Sequence, residues 1–194
     1  LVAMREAYLR GENAMEVARK FATAPVHMPN DISATTIAYD LQAGSYIRSF
    51  EKNSAPSRGI SREIANRLEE LLPDDGSLLE VGVGEATTLA SVLSMIKDKS
   101  KVSALGFDLS WSRVAHGNRW LRRNGLSARL FVADLLRIPL ESESVDVVYT
   151  CHSLEPNRGL ERDAISECLR VARGFVVLVE PIYELASNEA KLRM

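Results

Sequence analysis

The segment from 78 to 87, Leu-Leu-Glu-Val-Gly-Val-Gly-Glu-Ala-Thr, joins an apolar run to a helical pattern through two glycines. Gly82 and Gly84 let the backbone turn tightly and let a ligand approach without interference from Cβ atoms. Glu80 brings a carboxylate into the same turn. A lone Gly-x-Gly says little; it gains weight here because it follows a strand-like run and opens a helix. A dinucleotide fingerprint needs a third glycine for close helix packing, and that position is Thr87. An acid two residues before the first glycine would also repel a pyrophosphate. It suits a ligand with a cationic amino group. The plainer alternative is a strand-loop-helix with Glu80 solvated.

Two further strand ends carry acids. Ala104-Leu105-Gly106-Phe107-Asp108 puts a carboxylate roughly 20–30 residues after the first turn, where a ribose diol is held by paired hydrogen bonds. Nicotinamide enzymes share this feature, so it points to a nucleoside without choosing one. The alternative for Asp108 is capping of the helix at Ser110-Trp111. In Phe131-Val132-Ala133-Asp134-Leu135 the acid can accept an adenine amino hydrogen while Leu135 packs near the ring; taken alone, Asp134 reads equally well as an ordinary loop acid. His152 follows the fourth apolar run, and histidine is the side-chain type best suited to exchange protons near neutral pH, which makes it the leading base candidate. Its rival role is to line the pocket or hold the loop. Glu155 and Glu180 are secondary candidates. Cys151 lacks the partners of a catalytic nucleophile, and Cys168 sits on an apolar stripe. Arg113, Arg119, Arg122, Arg123 and His116 make one helix basic. A solvated face is the default reading and an RNA-binding face the lesser one.

These residues need elements to position them. A helix is expected over 1–24, weakened at Gly11, and a second one after Pro29, with Ile32, Ile37, Leu41 and Ile47 buried and a break at Gly44-Ser45. Residues 52–58, with Pro56, read as a loop. Ile60, Ile64, Leu68, Leu71 and Leu72 then form the apolar face of an amphipathic helix. Five strand-length runs follow, at 78–81, 102–107, 129–133, 145–149 and 175–179. Helical patterns lie between them near 86–97, 110–124 and 160–172, the last with a stripe of Leu160, Ala164, Ile165, Cys168, Leu169 and Ala172. Alternating strands and helices predict parallel βαβ units. The expected fold is α/β, a Rossmann-like doubly wound, mostly parallel sheet with helices on both faces. A helical cover would span 1–72 and the ligand-binding core 73–194 within one domain.

In order and spacing, the glycine turn at 80–84, Asp108 and Ala133-Asp134-Leu135 resemble the class I S-adenosylmethionine-dependent methyltransferases. So does Ser144-Val145-Asp146-Val147-Val148-Tyr149. Thr150-Cys151-His152-Ser153-Leu154-Glu155-Pro156 is similar to the His-containing turn of the broad small-molecule group within that superfamily. Tyr39-Asp40-Leu41-Gln42-Ala43-Gly44-Ser45-Tyr46 is similar to its N-terminal cover segment. The resemblance implies that Glu80, Gly82 and Gly84 surround the methionine portion of S-adenosylmethionine and that Asp108 holds the ribose. Asp134 and Leu135 would face adenine, Cys151 and His152 would lie near the reacting methyl, and Tyr39 and Tyr46 would close over the cofactor. The family's usual third glycine is Ala86 here. The chain stops at Met194, so the last strands of the usual seven are expected to be missing, through truncation or a reduced sheet.

Bulk properties fit one ordinary domain. In 194 residues, 46% are hydrophobic and 26% charged, and the net charge of −2 supplies no field for nucleic acid or an anionic membrane. Two cysteines and three scattered histidines make neither a disulfide framework nor a metal site. The expected setting is cytoplasmic, without membrane attachment; a homodimer is left open. The turn after the fourth strand lacks the Asn/Asp-Pro-Pro-aromatic signature of base-amino methyltransferases. The expected reaction is therefore methyl transfer to a small-molecule acceptor by in-line displacement. The competing readings are a non-catalytic cofactor-binding or scaffold domain and, disfavoured by Thr87 and Glu80, a nicotinamide-dependent oxidoreductase.

Overall fold

A computed structural model describes residues 2–12, 32–154, 157 and 159–182. In chain order the elements are α1 (Val2–Leu9), α2 (Ile32–Gln42), α3 (Ser45–Lys52), α4 (Ala55–Leu71), β1 (Ser77–Val81), α5 (Thr87–Met95), a 3-10 turn (Lys99–Lys101), β2 (Ser103–Asp108), α6 (Trp111–Arg123), β3 (Arg129–Val132), β4 (Val145–Cys151), α7 (Glu161–Val171) and β5 (Ala172–Val179). All five expected strands form. The sheet order is β3-β2-β1-β4-β5, and every pairing is parallel. The order reverses between β1 and β4. That is where an open α/β sheet leaves a crevice at its carboxyl edge.

The strands divide their side chains between two layers. Leu78, Ala104, Val147 and Tyr149 pack under α4, α5 and α6, with Ile64, Leu68, Leu89, Val92, Trp120 and Leu121. Leu79, Val81, Phe107 and Val148 face the other way, onto Ala164, Cys168 and Val171 of α7 and onto Leu135 and Ile138. Helices therefore cover both faces, as expected. By packing, α4 belongs to the helical layer of the sheet, although the sequence placed it within a cover over 1–72. The remaining cover helices stack outward: α1 lies on α2, α2 on α6, and α3 on α5. Phe50 of α3 also meets Trp120 of α6 edge to face at 5.8 Å.

Several local expectations change. The first helix ends at Leu9, and Gly11 turns the chain at φ +81°; residues 13–24 of the expected helix lie outside the described residues. The proposed loop at 52–58 is mostly helix, since α4 begins at Ala55 with Pro56 in its first turn. Proline's missing N–H has no intrahelical partner to lose at that position. Ile32, Ile60 and Leu169, expected inside, are exposed. Each stands near a helix end or at the margin of its apolar face, where packing no longer reaches it. β5 is a sheet edge, and its Phe175 and Leu178 are exposed rather than covered on both sides.

Candidate functional site

The carboxyl ends of β1, β2 and β3 are stitched together by backbone hydrogen bonds. Val83 N donates to Phe107 O at 2.7 Å, and Ala133 N donates to Asp108 O at 3.2 Å. Between these ends runs the turn predicted from sequence. Gly82 (φ +68°), Gly84 (φ +53°) and Ala86 (φ +57°) all adopt left-handed conformations. At Gly82 a side chain is also sterically barred: an added Cβ would come within 2.4 Å of Ser153 Cβ. At Gly84 nothing stands in the way, so only its backbone conformation asks for glycine. Ala86 stands where the family that the sequence resembles usually has a third glycine. Its own left-handed backbone carries a strain of about 1–2 kcal/mol. Its methyl fits because Gly117 of α6 lies opposite, where a Cβ would stand 3.2 Å from Ala86 Cβ.

Asp108 ends β2 and is 6% exposed. Its Oδ2 accepts from Gly84 N at 3.0 Å and its Oδ1 from Ser110 N at 2.8 Å. Burial raises its pKa above the ordinary carboxylate range; the amides of Ser110 and Gly84 and the charge of Arg113 act against that shift. Each oxygen keeps an unused lone pair, so the fixed carboxylate can still accept two hydroxyl hydrogens.

A cleft with a cavity volume of about 90 Å³, open to solvent, lies over this floor. Its lining includes Tyr39, Gly82, Asp108, Asp134, Leu135 and His152, so the fold gathers six of the predicted site residues. Asp134 holds its own turn by accepting from Leu136 N at 2.9 Å. His152 is exposed on the cleft wall with φ +54°, and its amide is tied to Val179 O at 3.0 Å. That uncommon backbone conformation for a non-glycine residue aims the turn after β4.

Four predicted residues stand elsewhere. Gly84 lies beneath the cleft as the amide donor to Asp108. Tyr46 is 56% exposed on the cover. Glu80 is a correction: it does not open onto the cleft. It is 2% exposed and takes the phenol hydrogen of Tyr149 at 2.5 Å. Residues alternate along a strand, so Glu80 shares the face of Leu78, under the helices. Burial pushes its pKa up to about 8. Cys151 is also outside the lining, packed against the same helical layer, and burial followed by the charges of Glu80 and Glu180 pushes its thiol up to about 12. Of the secondary candidates, Glu180 is committed to the turn, accepting from Ser153 N at 3.0 Å and Leu154 N at 3.2 Å; Glu155 lies outside the described residues.

The tertiary structure adds residues the sequence did not single out. Glu85 is buried, and its Oε1 accepts from Gly44 N at 2.8 Å and Tyr46 N at 3.3 Å while its Oε2 accepts from Ile47 N at 2.8 Å. It thereby caps α3 from the glycine turn, satisfying amides that a helix start leaves without partners. Asp40 of α2 binds Ser110 Oγ at 2.5 Å and Ser112 N at 3.1 Å, docking the cover on the start of α6. Arg113 was read as part of a solvated basic face. It is instead 7% exposed and lines the cleft, its guanidinium 4.1 Å from the ring centre of Tyr39 and 4.9 Å from that of Tyr46. The only hint in the sequence was its position five residues after Asp108, on the first turn of the following helix.

Among the described residues, Thr35 Oγ1, Arg113 Nε and Ser153 Oγ are buried side-chain atoms without a hydrogen-bond partner, and each belongs to a residue of the cleft lining. Buried polar groups are rarely left so. A nucleoside-bearing cofactor fits the floor of the cleft, where Asp108 can still take two hydroxyl hydrogens. Among the described residues no cluster of potential metal ligands occurs, and no helix is long and apolar enough to cross a membrane.

Comparison with known proteins accords with this geometry. A family model described as "Methyltransferase domain" matches residues 78–174. No curated protein matches the chain. The fold is similar to that of a S-adenosylmethionine-dependent methyltransferase from Aquifex aeolicus, with 18% identity, a TM-score of 0.54, and coverage of 66% of this chain and 67% of that one. The YcgJ protein from Bacillus subtilis aligns at 18% identity and a TM-score of 0.52, over 65% of this chain and 50% of its own. The [4+2]-cyclase SpnF aligns at 23% identity and a TM-score of 0.52, over 60% of this chain and 43% of its own. The chain thus spans half or less of the last two proteins. At these identities the likeness is one of fold, and a fold hosts more than one chemistry.

Proposed function

The chain belongs to the methyltransferase domain family, and from that premise we propose that it transfers the methyl group of S-adenosylmethionine to a small-molecule acceptor. One observation carries the reading: a buried, amide-anchored Asp108 at the floor of a cleft that Gly82, Asp134 and Leu135 also line. Asp108 would hold the ribose hydroxyls. Gly82 and Ser153 would flank the methionine portion, and Asp134 and Leu135 would take the adenine. Bound there, the cofactor supplies a methyl group on a positively charged sulfur, already activated for in-line displacement.

The chain's own contribution is alignment and exclusion of water, which can supply roughly 7–11 kcal/mol of barrier reduction. The roof of the cleft, with Thr35 and Tyr39 from α2, supports an acceptor small enough to enter beneath it. His152, exposed at the wall beside Ser153, is suited to take the proton from a hydroxyl or carbon-acid acceptor. Cys151 is not suited to serve as a nucleophile, because its raised pKa keeps the thiol protonated. We take the setting to be cytoplasmic, from the composition and scattered cysteines.

Calorimetric titration with S-adenosylhomocysteine, run beside NAD, tests the reading. Binding of the former alone is expected, weakened about 100-fold or more in Asp108→Ala, since two charge-assisted hydrogen bonds are lost. Binding of NAD alone would overturn the assignment, as would a folded chain that binds S-adenosylhomocysteine without loss in the variant.

A further inference from the structure

The chain leaves β4 through His152, a bulky residue in the left-handed conformation at φ +54°. Glycine would adopt that conformation without steric cost. Contacts from the end of β5 hold the histidine there instead. His152 N donates to Val179 O at 3.0 Å, closing the β4–β5 ladder where Cys151 pairs with Val179. The next two amides converge on one carboxylate, that of Glu180, the residue just past β5. Ser153 N donates to Glu180 Oε1 at 3.0 Å and Leu154 N to Glu180 Oε2 at 3.2 Å. Successive backbone N–H groups in such a turn form a concave nest suited to an anion, and Glu180 fills it. The far side of the turn is tied by Asn157, whose Nδ2 donates to Ser153 O at 3.0 Å. On the side of the glycine turn, Ser153 fills the space where Gly82 has no room for a side chain.

What this turn presents to solvent is His152, which is exposed and lines the cleft, whereas Glu180 is half-buried and outside the lining. We infer that Glu180 is a positioning residue for the reaction proposed above. By occupying the nest it holds His152 in its left-handed conformation and so fixes the imidazole at the cleft wall. The inference rests on the reading of His152 as the group that takes the acceptor's proton. Glu180 acts only through the backbone of the turn, and its two oxygens are what the role requires, one for each amide. A glutamine in its place has a single acceptor oxygen and turns an NH2 group toward the other amide, donor against donor. Left-handed backbone at a bulky residue persists only where the surroundings enforce it, and here the enforcing group is the carboxylate.

The test reads the histidine itself. The chain has three histidines, so ring-labelled histidine gives three signals by NMR, and His152→Ala assigns the one of interest. His116 is the internal control for the fold, because its ring lies against Gly44, where a Cβ would stand 3.0 Å from its Cε1. Wild type, Glu180→Gln and Glu180→Ala are compared without ligand and with S-adenosylhomocysteine. In both variants the His152 signal is expected to move toward that of free histidine, while His116 keeps its wild-type position. The amides of Ser153 and Leu154 should exchange about tenfold faster or more. S-adenosylhomocysteine should shift the His152 signal in the wild type and shift it less in either variant. A contribution to stability alone would lower the denaturation midpoint and leave His152 at its wild-type signal. That result in Glu180→Gln, which keeps the side-chain shape, overturns the inference, and this variant decides if Glu180→Ala also displaces His116. A folded wild type that does not bind S-adenosylhomocysteine overturns the cofactor reading instead, and the ligand-free spectra still judge Glu180.

Discussion

The phenol of Tyr149 and the carboxylate of Glu80 share a hydrogen bond of 2.5 Å between adjacent strands, β4 and β1, with both side chains sealed from water. Burial raises Glu80 to about 8 and lifts Tyr149 well above its ordinary value, so at neutral pH the pair is neutral. The folded state then binds a proton that the unfolded chain releases above its ordinary pKa of 4.5. The contribution to stability is full below that value and is lost as pH rises through about 8. Denaturant midpoints followed from pH 5 upward should fall with pH in the wild type and fall less steeply in Glu80→Gln, which cannot ionise. Equal slopes in the two proteins would mean that Glu80 is already charged in the fold.

Gly82 and Gly84 should respond differently to the same substitution. Both have positive φ, so alanine strains each backbone by about 1 kcal/mol or more. Only at Gly82 does the new methyl also collide with Ser153, at 2.4 Å. Gly82→Ala is expected to cost about 1–3 kcal/mol more than Gly84→Ala and to displace the turn after β4. Chemical denaturation of the two variants gives the comparison. Equal losses would show that the contact with Ser153 is relieved without cost.

Glu85 anchors the start of α3 through three backbone amides. Glu85→Ala leaves the buried amide of Gly44 and the partly buried amides of Tyr46 and Ile47 without their acceptor, at about 1–3 kcal/mol for each group that water does not reach. Hydrogen exchange should report the loss locally: the amides of Gly44, Tyr46 and Ile47 are expected to exchange much faster, while the strands remain protected. Unchanged protection at these three amides would show that Glu85 does not hold the cover.

His152→Ala separates chemistry from binding. If the imidazole takes a proton from the acceptor, turnover should drop about 10²–10⁴-fold with S-adenosylhomocysteine affinity nearly intact. A parallel loss of affinity and rate would assign His152 to the cofactor pocket instead.

Most of the framework was legible because it follows from local pattern. Five runs of Val, Leu and Phe became the five strands, and the glycines at 82 and 84 fell at a strand-to-helix turn because glycine adopts φ near +60° without steric cost. Asp108, Asp134 and His152 were marked by their places at strand ends, which all open onto one edge of a parallel sheet. Which way a side chain leaves its strand was harder to read. Glu80 lies in a motif associated with a ligand, yet the two-residue period of β1 sends it beneath the helices to Tyr149, 69 positions away. Pro56 and Ile60 were misread for a related reason: a helix start and the margin of an apolar face depend on what lies alongside.

Sequence alone therefore determined the α/β class, the strand ends and the residue types at the cleft floor, since turn geometry and hydrophobic period are written in neighbouring residues. Tertiary structure alone decided the places of Glu85 and Arg113. Glu85 meets Gly44 across 41 positions and Arg113 meets Gln42 across 71. In the sequence each is an ordinary polar residue on a helix or beside a turn. Only when α2 and α3 fold over the sheet are they taken from water, and burial is what turns an ordinary charge or hydroxyl into a group that must find a partner.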